Sequence, residues 1–176
     1  RYKEVLPVEN PDHKLCLGEG MTPLLETPAL GRVLGLPRTL VKEEGGNPTG
    51  SFKARGLALA VSMAKALGAT DVCLPSAGNA GSALAAYAAR GGLKAHVFVP
   101  RDIAEVFLME TLSYGAHVET VEGLITDAGK ICAGLAKEHG WTLDDVLRET
   151  GCGGQCGLCR PYLREMLRTG QVEFHE

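Results

Sequence analysis

From Thr39 onward the chain repeats a strand–loop–helix unit about every 22–24 residues, and no other feature constrains its fold as tightly. A β-rich run at 39–43 leads through a Gly/Pro loop to an apolar helical stretch at 52–67, stopped by Gly68. The run 71–75 precedes an Ala-rich helix at 80–90, closed by Gly91. The run 94–99 precedes a helix at 104–113, closed by Gly115, and 116–121 precedes a helix at 125–139, stopped at Gly140. Strands alternating with helices at this spacing predict βαβ units on a parallel sheet, an α/β fold. The rhythm is supersecondary, because the residues themselves do not recur.

Past Trp141 the rhythm fails. A short helix is predicted at 143–148, with Thr142 as N-cap and two aspartates in its first turn. A Gly/Cys loop follows at 151–159, then a second short helix at 162–168 behind Pro161. No further β-branched run appears here. The sequence therefore predicts an α/β domain over 1–141 and a small helix–Cys loop–helix over 142–176, with the boundary at Trp141.

Composition excludes several classes of function. The 18 basic and 21 acidic residues leave a net charge of −3, without the basic stripe of a nucleic-acid binder. Nine aromatic residues in 176 are too few for a base-stacking surface. No apolar run reaches the roughly 18 residues of a membrane span. The charged start, 1–9, has no signal-peptide core, and the absence of an initial Met predicts a processed or excerpted chain. Six cysteines without a secretory leader predict a reducing cytoplasm. Cys16, Cys73 and Cys132 stand in apolar runs and are expected to be buried structural thiols. Cys152, Cys156 and Cys159 crowd together and form a candidate metal cluster.

Parallel α/β sheets hold ligands where strands end and helices begin. Two loops have that placement. The first, Asn47-Pro-Thr-Gly-Ser-Phe-Lys53-Ala-Arg-Gly56, puts Lys53 at a helix start, where the macrodipole favours the neutral amine and so a nucleophile toward an aldehyde. Most lysines are solvated surface groups, yet this position is locally unfavourable for one. The second loop is Ser76-Ala77-Gly78-Asn79-Ala80-Gly81. Its small residues admit a ligand close to the backbone, and free N–H groups at the helix start suit a carboxylate or phosphate. Asn79 can cap the helix or bond a ligand oxygen. Alone, the second loop is an ordinary capped βα turn. On successive βα units the two loops are expected to face one sheet edge.

One resemblance accounts for both loops. Gly18-Glu-Gly-Met-Thr-Pro-Leu24, Val41-Lys-Glu-Glu-Gly-Gly-Asn-Pro-Thr-Gly-Ser-Phe-Lys-Ala-Arg-Gly56 and Ser76-Ala-Gly-Asn79 resemble the pyridoxal-phosphate-dependent threonine synthases of the fold-type II family, over roughly residues 1–141. The resemblance implies Lys53 as the Schiff-base lysine and catalytic residue, with Phe52 beside it in the cofactor site. It implies Asn79 bonding the 3′ oxygen of the cofactor, and Ser76, Ala77, Gly78, Asn79, Ala80 and Gly81 holding the substrate α-carboxylate. The implied reaction turns O-phosphohomoserine and water into threonine and phosphate. The resemblance also implies a second βα domain with a Gly-rich cofactor-phosphate loop and a Ser or Thr at the pyridine nitrogen; the sequence locates neither.

The tail over 142–176 resembles the C-terminal part of bacterioferritin-associated-ferredoxin-type 2Fe–2S modules. That resemblance implies a 2Fe–2S cluster on Cys156 and Cys159, with Cys152 as a third local thiol. The upstream Cys-x-Cys of that family is absent, so a homodimer sharing the cluster, a redox dithiol and an empty half-motif all stay open. Two partial families meeting at Trp141 predict a fusion, a chimera or a mis-joined frame. Two rival functions stand beside the enzyme: a 2Fe–2S or thiol redox module on a non-catalytic α/β platform, and a fragment exposing a sheet edge. The histidines show no ligand spacing, and the adjacent Glu43 and Glu44 do not form a catalytic carboxylate pair.

Overall fold

A computed structural model of the chain describes residues 6–8 and 10–138. The expectations at 139–176, namely the boundary at Trp141, the two short helices and the cluster of Cys152, Cys156 and Cys159, lie outside the described residues.

From Asp71 onward the repeat folds as its period predicts. Strands β3 (Asp71–Pro75), β4 (Lys94–Pro100) and β5 (His117–Val121) form a parallel sheet in the order β3-β4-β5. They alternate with helices α3 (Asn79–Gly91), α4 (Glu105–Ser113) and α5 (Ile125–Glu138). Helix α2 (Lys53–Ala66) precedes β3. The centre of β4 is buried on both sides, as a parallel strand covered on each face requires. On one face Ala95, Val97 and Val99 pack with Ala54, Ala58 and Val61 of α2 and with Leu84, Ala85 and Ala88 of α3. The spacing of the α2 residues puts all three on one helical stripe. On the other face Phe98 and Val121 meet Ala128 and Cys132 of α5.

Helix α3 is buried at every position from Gly81 to Ala88. It packs against α2, α4 and β4, so only small side chains fit around most of its circumference. The Ala-rich run is thus a packing requirement. The exceptions are Leu84 and Tyr87, the latter fully buried; a side chain of that size contributes roughly 1.5–3 kcal/mol through its apolar part. The helix ends at Gly92, in the left-handed region at φ 75°, where its N–H returns to the Ala88 and Ala89 carbonyls. The stop is one residue later than the Gly91 the sequence indicates.

The run at 39–43 departs from expectation. Its strand, β2 (Leu40–Lys42), does not join the parallel sheet. It pairs antiparallel with β1 (Leu24–Glu26), Leu25 opposite Val41, in a separate two-stranded sheet. A short helix, α1 (Pro28–Leu34), connects the two. The Glu43 carboxylate accepts from the N–H groups of Gly45 and Gly46 at 2.7 and 3.0 Å, which turns the chain immediately after β2. All six residues of β1 and β2 are exposed. Among the described residues no helix is long and apolar enough to cross a membrane.

The cysteine expectation holds in part. Cys132 is buried, whereas Cys16 and Cys73 are exposed. Cys73 sits on the short strand β3 at the sheet edge, where alternation leaves its side uncovered along much of its length.

Candidate active site

The loop that carries Lys53 is a strained turn. Pro48–Gly50 forms one 3-10 turn, entered from Asn47, and within it Thr49 adopts φ 57°, a left-handed conformation that β-branched residues avoid. The Thr49 hydroxyl is buried without a hydrogen-bond partner among the described residues. Buried side-chain oxygens usually have a partner, so this hydroxyl has capacity to bond a water or a ligand. Ser51 Oγ accepts from the Lys53 N–H at 3.3 Å, and α2 begins at Lys53. The Lys53 side chain is exposed, its Nζ lying 4.6 Å from the centre of the exposed Phe52 ring.

A polar clamp fixes this loop from behind. Arg55 makes a two-pronged contact with Glu44, at 2.6 and 2.8 Å, and also donates to Thr22 at 3.1 Å. Thr22 donates to Glu44 at 2.7 Å. Asn47 donates its amide to Glu44 and accepts from the Gly20 N–H at 2.9 Å. The hydrogen bond from Arg55, then that from Thr22, holds the Glu44 carboxyl down at about 2. This clamp joins three separate stretches of chain: the turn at 18–22, the end of β2 and the first turn of α2. The sequence gives no direct sign of it. The motif similarity at Glu19 and Thr22 was the available signal.

The second loop leaves the C-terminal end of β3. Ser76 is buried; its hydroxyl accepts from Gly78 N–H at 3.2 Å and Gly81 N–H at 2.9 Å. Ser76 therefore performs the capping that the sequence assigns to Asn79. The N-cap position itself is Gly78, and Asn79 is the first residue of α3. The Asn79 carboxamide has no hydrogen-bond partner among the described residues, and the N–H groups of Asn79 and Ala80 find no acceptor there. Gly81 lies so close to the sheet that a Cβ would come within 2.9 Å of Val97 and 3.2 Å of Ser76. Ala77 is exposed; Gly78, Asn79 and Ala80 are half-buried.

The 3-10 turn at 48–50 packs against α3, which brings the lysine loop and the Ser76–Gly81 loop side by side. The two meet through this loop–helix contact, since β2 and β3 belong to different sheets. Phe52 and Lys53 thus follow a turn that packs against α3, the helix that Ser76, Ala77, Gly78, Asn79, Ala80 and Gly81 lead into and begin. An exposed amine at a helix start, with two amides, a carboxamide and a hydroxyl that find no partner among the described residues, suits a small anionic, aldehyde-bearing cofactor.

The geometry sets an exposed helix-start lysine on a turn that packs against the helix following the first parallel strand. Comparison with known proteins gives the family: residues 15–167 match the profile of "Pyridoxal-phosphate dependent enzyme", and the chain belongs to that family. Threonine synthase of Synechocystis sp. is 42% identical over 156 residues, covering 88% of this chain and 41% of its own length. That of Methanocaldococcus jannaschii is 43% identical over 139 residues, covering 78% of this chain and 34% of its own. This chain therefore spans well under half the length of these relatives. Among solved structures, a pyridoxal 5′-phosphate-dependent aspartate racemase superposes with a TM-score of 0.60 at 26% identity, over 84% of this chain and 54% of that one. Escherichia coli diaminopropionate ammonia lyase gives 0.63 at 22% identity, over 73% and 41%, a likeness of fold. The match confirms the mixed α/β fold of a fold-type II enzyme's N-terminal part.

The tail reading fares differently. The family profile runs on through Trp141 and the three clustered cysteines to residue 167, and lends the iron–sulfur module no support. Among the described residues no group of three or more His, Cys, Asp or Glu is arranged to hold a metal ion.

Proposed function

We propose that this chain is the lysine-bearing part of a pyridoxal-phosphate lyase that converts O-phosphohomoserine and water into threonine and phosphate. Its curated relatives named threonine synthase support the reaction. The observation that carries the reading is the exposed Lys53 amine at the start of α2, on a turn that packs against α3, whose first amides at Asn79 and Ala80 have no acceptor among the described residues. In this reading Lys53 holds the cofactor through its ε-amine, with the Phe52 ring beside it, and Asn79 bonds the cofactor's ring oxygen. When bound, the cofactor supplies an electron sink for charge developing on the substrate carbon skeleton. Ser76, Ala77, Gly78, Asn79, Ala80 and Gly81 take the substrate α-carboxylate, the Asn79 and Ala80 amides pointing at its oxygens. Lys53, once its amine is free, takes the proton from the substrate α-carbon as general base. The small-molecule amino-acid substrate and a cytoplasmic setting belong to the same proposal. No observation among the described residues favours an iron–sulfur module as a second reading.

The test is covalent labelling of the full chain. With pyridoxal phosphate and borohydride, label is expected on Lys53. O-Phosphohomoserine added before borohydride is expected to protect Lys53 better than serine does. Equal labelling of Lys42 or Lys65 overturns the site; equal protection by serine overturns the substrate.

A further inference from the structure

The sheet face turned away from α2 carries a second concentration of chemistry. Cys73 of β3 stands in register with His96 of β4, and His96 with His117 of β5, so the three form one row across the sheet. His96 Nε2 lies 2.8 Å from Asp71 Oδ1, and the two histidine rings meet edge to face at 5.7 Å. Helix α5 packs on part of this face and brings in Cys132, which is buried with Phe98, Val121 and Ala128. Helix α5 packs on β3 as well as β4, and Cys132 lies beside Cys73, close enough for the two thiols to interact.

The two thiols differ in a way that suits sequential roles. Cys73 is exposed. The interaction with Cys132, with a further contribution from His96, holds its thiol down at about 7. Cys132 is buried, and the same interaction together with burial pushes its thiol up. A reactive cysteine needs thiolate character and access; a resolving cysteine needs proximity. The row is not arranged as a metal site.

We propose that Cys73 is a peroxide-reactive cysteine and Cys132 its resolving partner, so that oxidation closes a reversible disulfide between β3 and α5. In the first step the Cys73 thiolate attacks one oxygen of hydrogen peroxide. The S–O bond forms, the O–O bond breaks, and hydroxide leaves; sulfur loses two electrons and the peroxide gains them. The hydroxide takes a proton from solvent, giving water. In the second step the Cys132 sulfur attacks the Cys73 sulfenic acid. The S–S bond forms, the S–O bond breaks, and the departing hydroxide leaves as water with the Cys132 proton. Two thiols and one peroxide thus yield one disulfide and two waters.

The full reduced chain is treated with hydrogen peroxide, quenched with catalase, blocked with N-ethylmaleimide and digested with trypsin without reduction. The expected product is peptide 66–90 joined to peptide 131–137, released by dithiothreitol. The exposed Cys16 is the internal comparison and is expected to remain alkylatable. Cys73→Ser is expected to abolish the link and leave Cys132 as a thiol. Cys132→Ser is expected to leave Cys73 as a dimedone-reactive sulfenic acid. If that buried substitution unfolds the chain, Cys73→Ser, at an exposed site, still decides. Undiminished alkylation of Cys73 after peroxide overturns the proposal. So does a link from Cys73 to Cys16, Cys152, Cys156 or Cys159, or a link from Cys132 that survives Cys73→Ser.

Discussion

Tyr87 Oη donates to Glu19 Oε2 at 2.5 Å, joining the buried centre of α3 to a turn 68 residues earlier in the chain. Glu19 also accepts from the Leu17 N–H at 2.9 Å. Burial opposes the Glu19 charge, yet the bonds from Tyr87 and Leu17 outweigh it and hold the carboxyl below its usual value. Burial, then the bond to Glu19, pushes the Tyr87 hydroxyl well above its own. Tyr87→Phe keeps the ring and strands the carboxylate. It is expected to cost about 1–3 kcal/mol, read by urea denaturation. A loss close to zero would show that water replaces the bond.

Gly81 tests the closeness of α3 to the sheet. Its missing Cβ would meet Val97 Cγ1 and Ser76 Cβ, both held in the core. Gly81→Ala gains helix propensity but must push the helix outward. The clash is expected to win, with a net loss of about 1–3 kcal/mol. A stabilised variant in thermal melting would show that the helix start yields freely.

Ser76 and Asn79 exchange the roles that their residue types indicate. Ser76→Ala removes the acceptor for two amides at the start of α3 and is expected to lower stability by about 1 kcal/mol. Asn79→Ala removes a carboxamide with no partner among the described residues, so its fold cost is expected to stay below about 0.5 kcal/mol. Its effect is expected instead on binding of pyridoxal phosphate, measured by absorbance titration. The reverse ordering in paired denaturation and binding measurements would make Asn79 structural.

Acid acts on the Glu44 clamp with a definite sign. Arg55 and Thr22 depress the Glu44 carboxyl to about 2 from the usual 4.5. Between those values the folded chain binds fewer protons than the unfolded one. The contribution of the clamp is therefore complete above the usual value and is lost as pH falls toward about 2. Glu44→Gln is expected to flatten stability against pH across that window. An unchanged slope would show that the pair is fully screened.

Much of this arrangement is legible in the residues, for local reasons. From 71 to 121 the strands and helices fall within about a residue of their expected limits, because β-branched runs and glycine stops are local signals. Helix α1 and strand β1 are not legible: β1 has three residues, all exposed, and so no alternation to read. The run at 39–43 is correctly a strand but goes to the wrong sheet, because the partner of a strand is chosen over long range. The same divide separates Lys53 and the Ser76–Gly81 loop, visible as contiguous motifs, from the Glu44–Arg55 and Tyr87–Glu19 pairs. The members of those pairs stand 11 and 68 residues apart.

The double cover of β4 orders the way the molecule opens. That strand has a neighbour on each edge and helices over both faces, so its amides are freed only when the whole α/β unit comes apart. The exposed pair β1–β2 has no such cover among the described residues, and a lone two-stranded ribbon is marginal in water. Amide exchange therefore runs from the ribbon inward. Solvent reaches the strands beside the lysine loop long before it reaches Val97, and the clamp built on Glu44 stands at the boundary between the fast-breathing and slow-breathing parts.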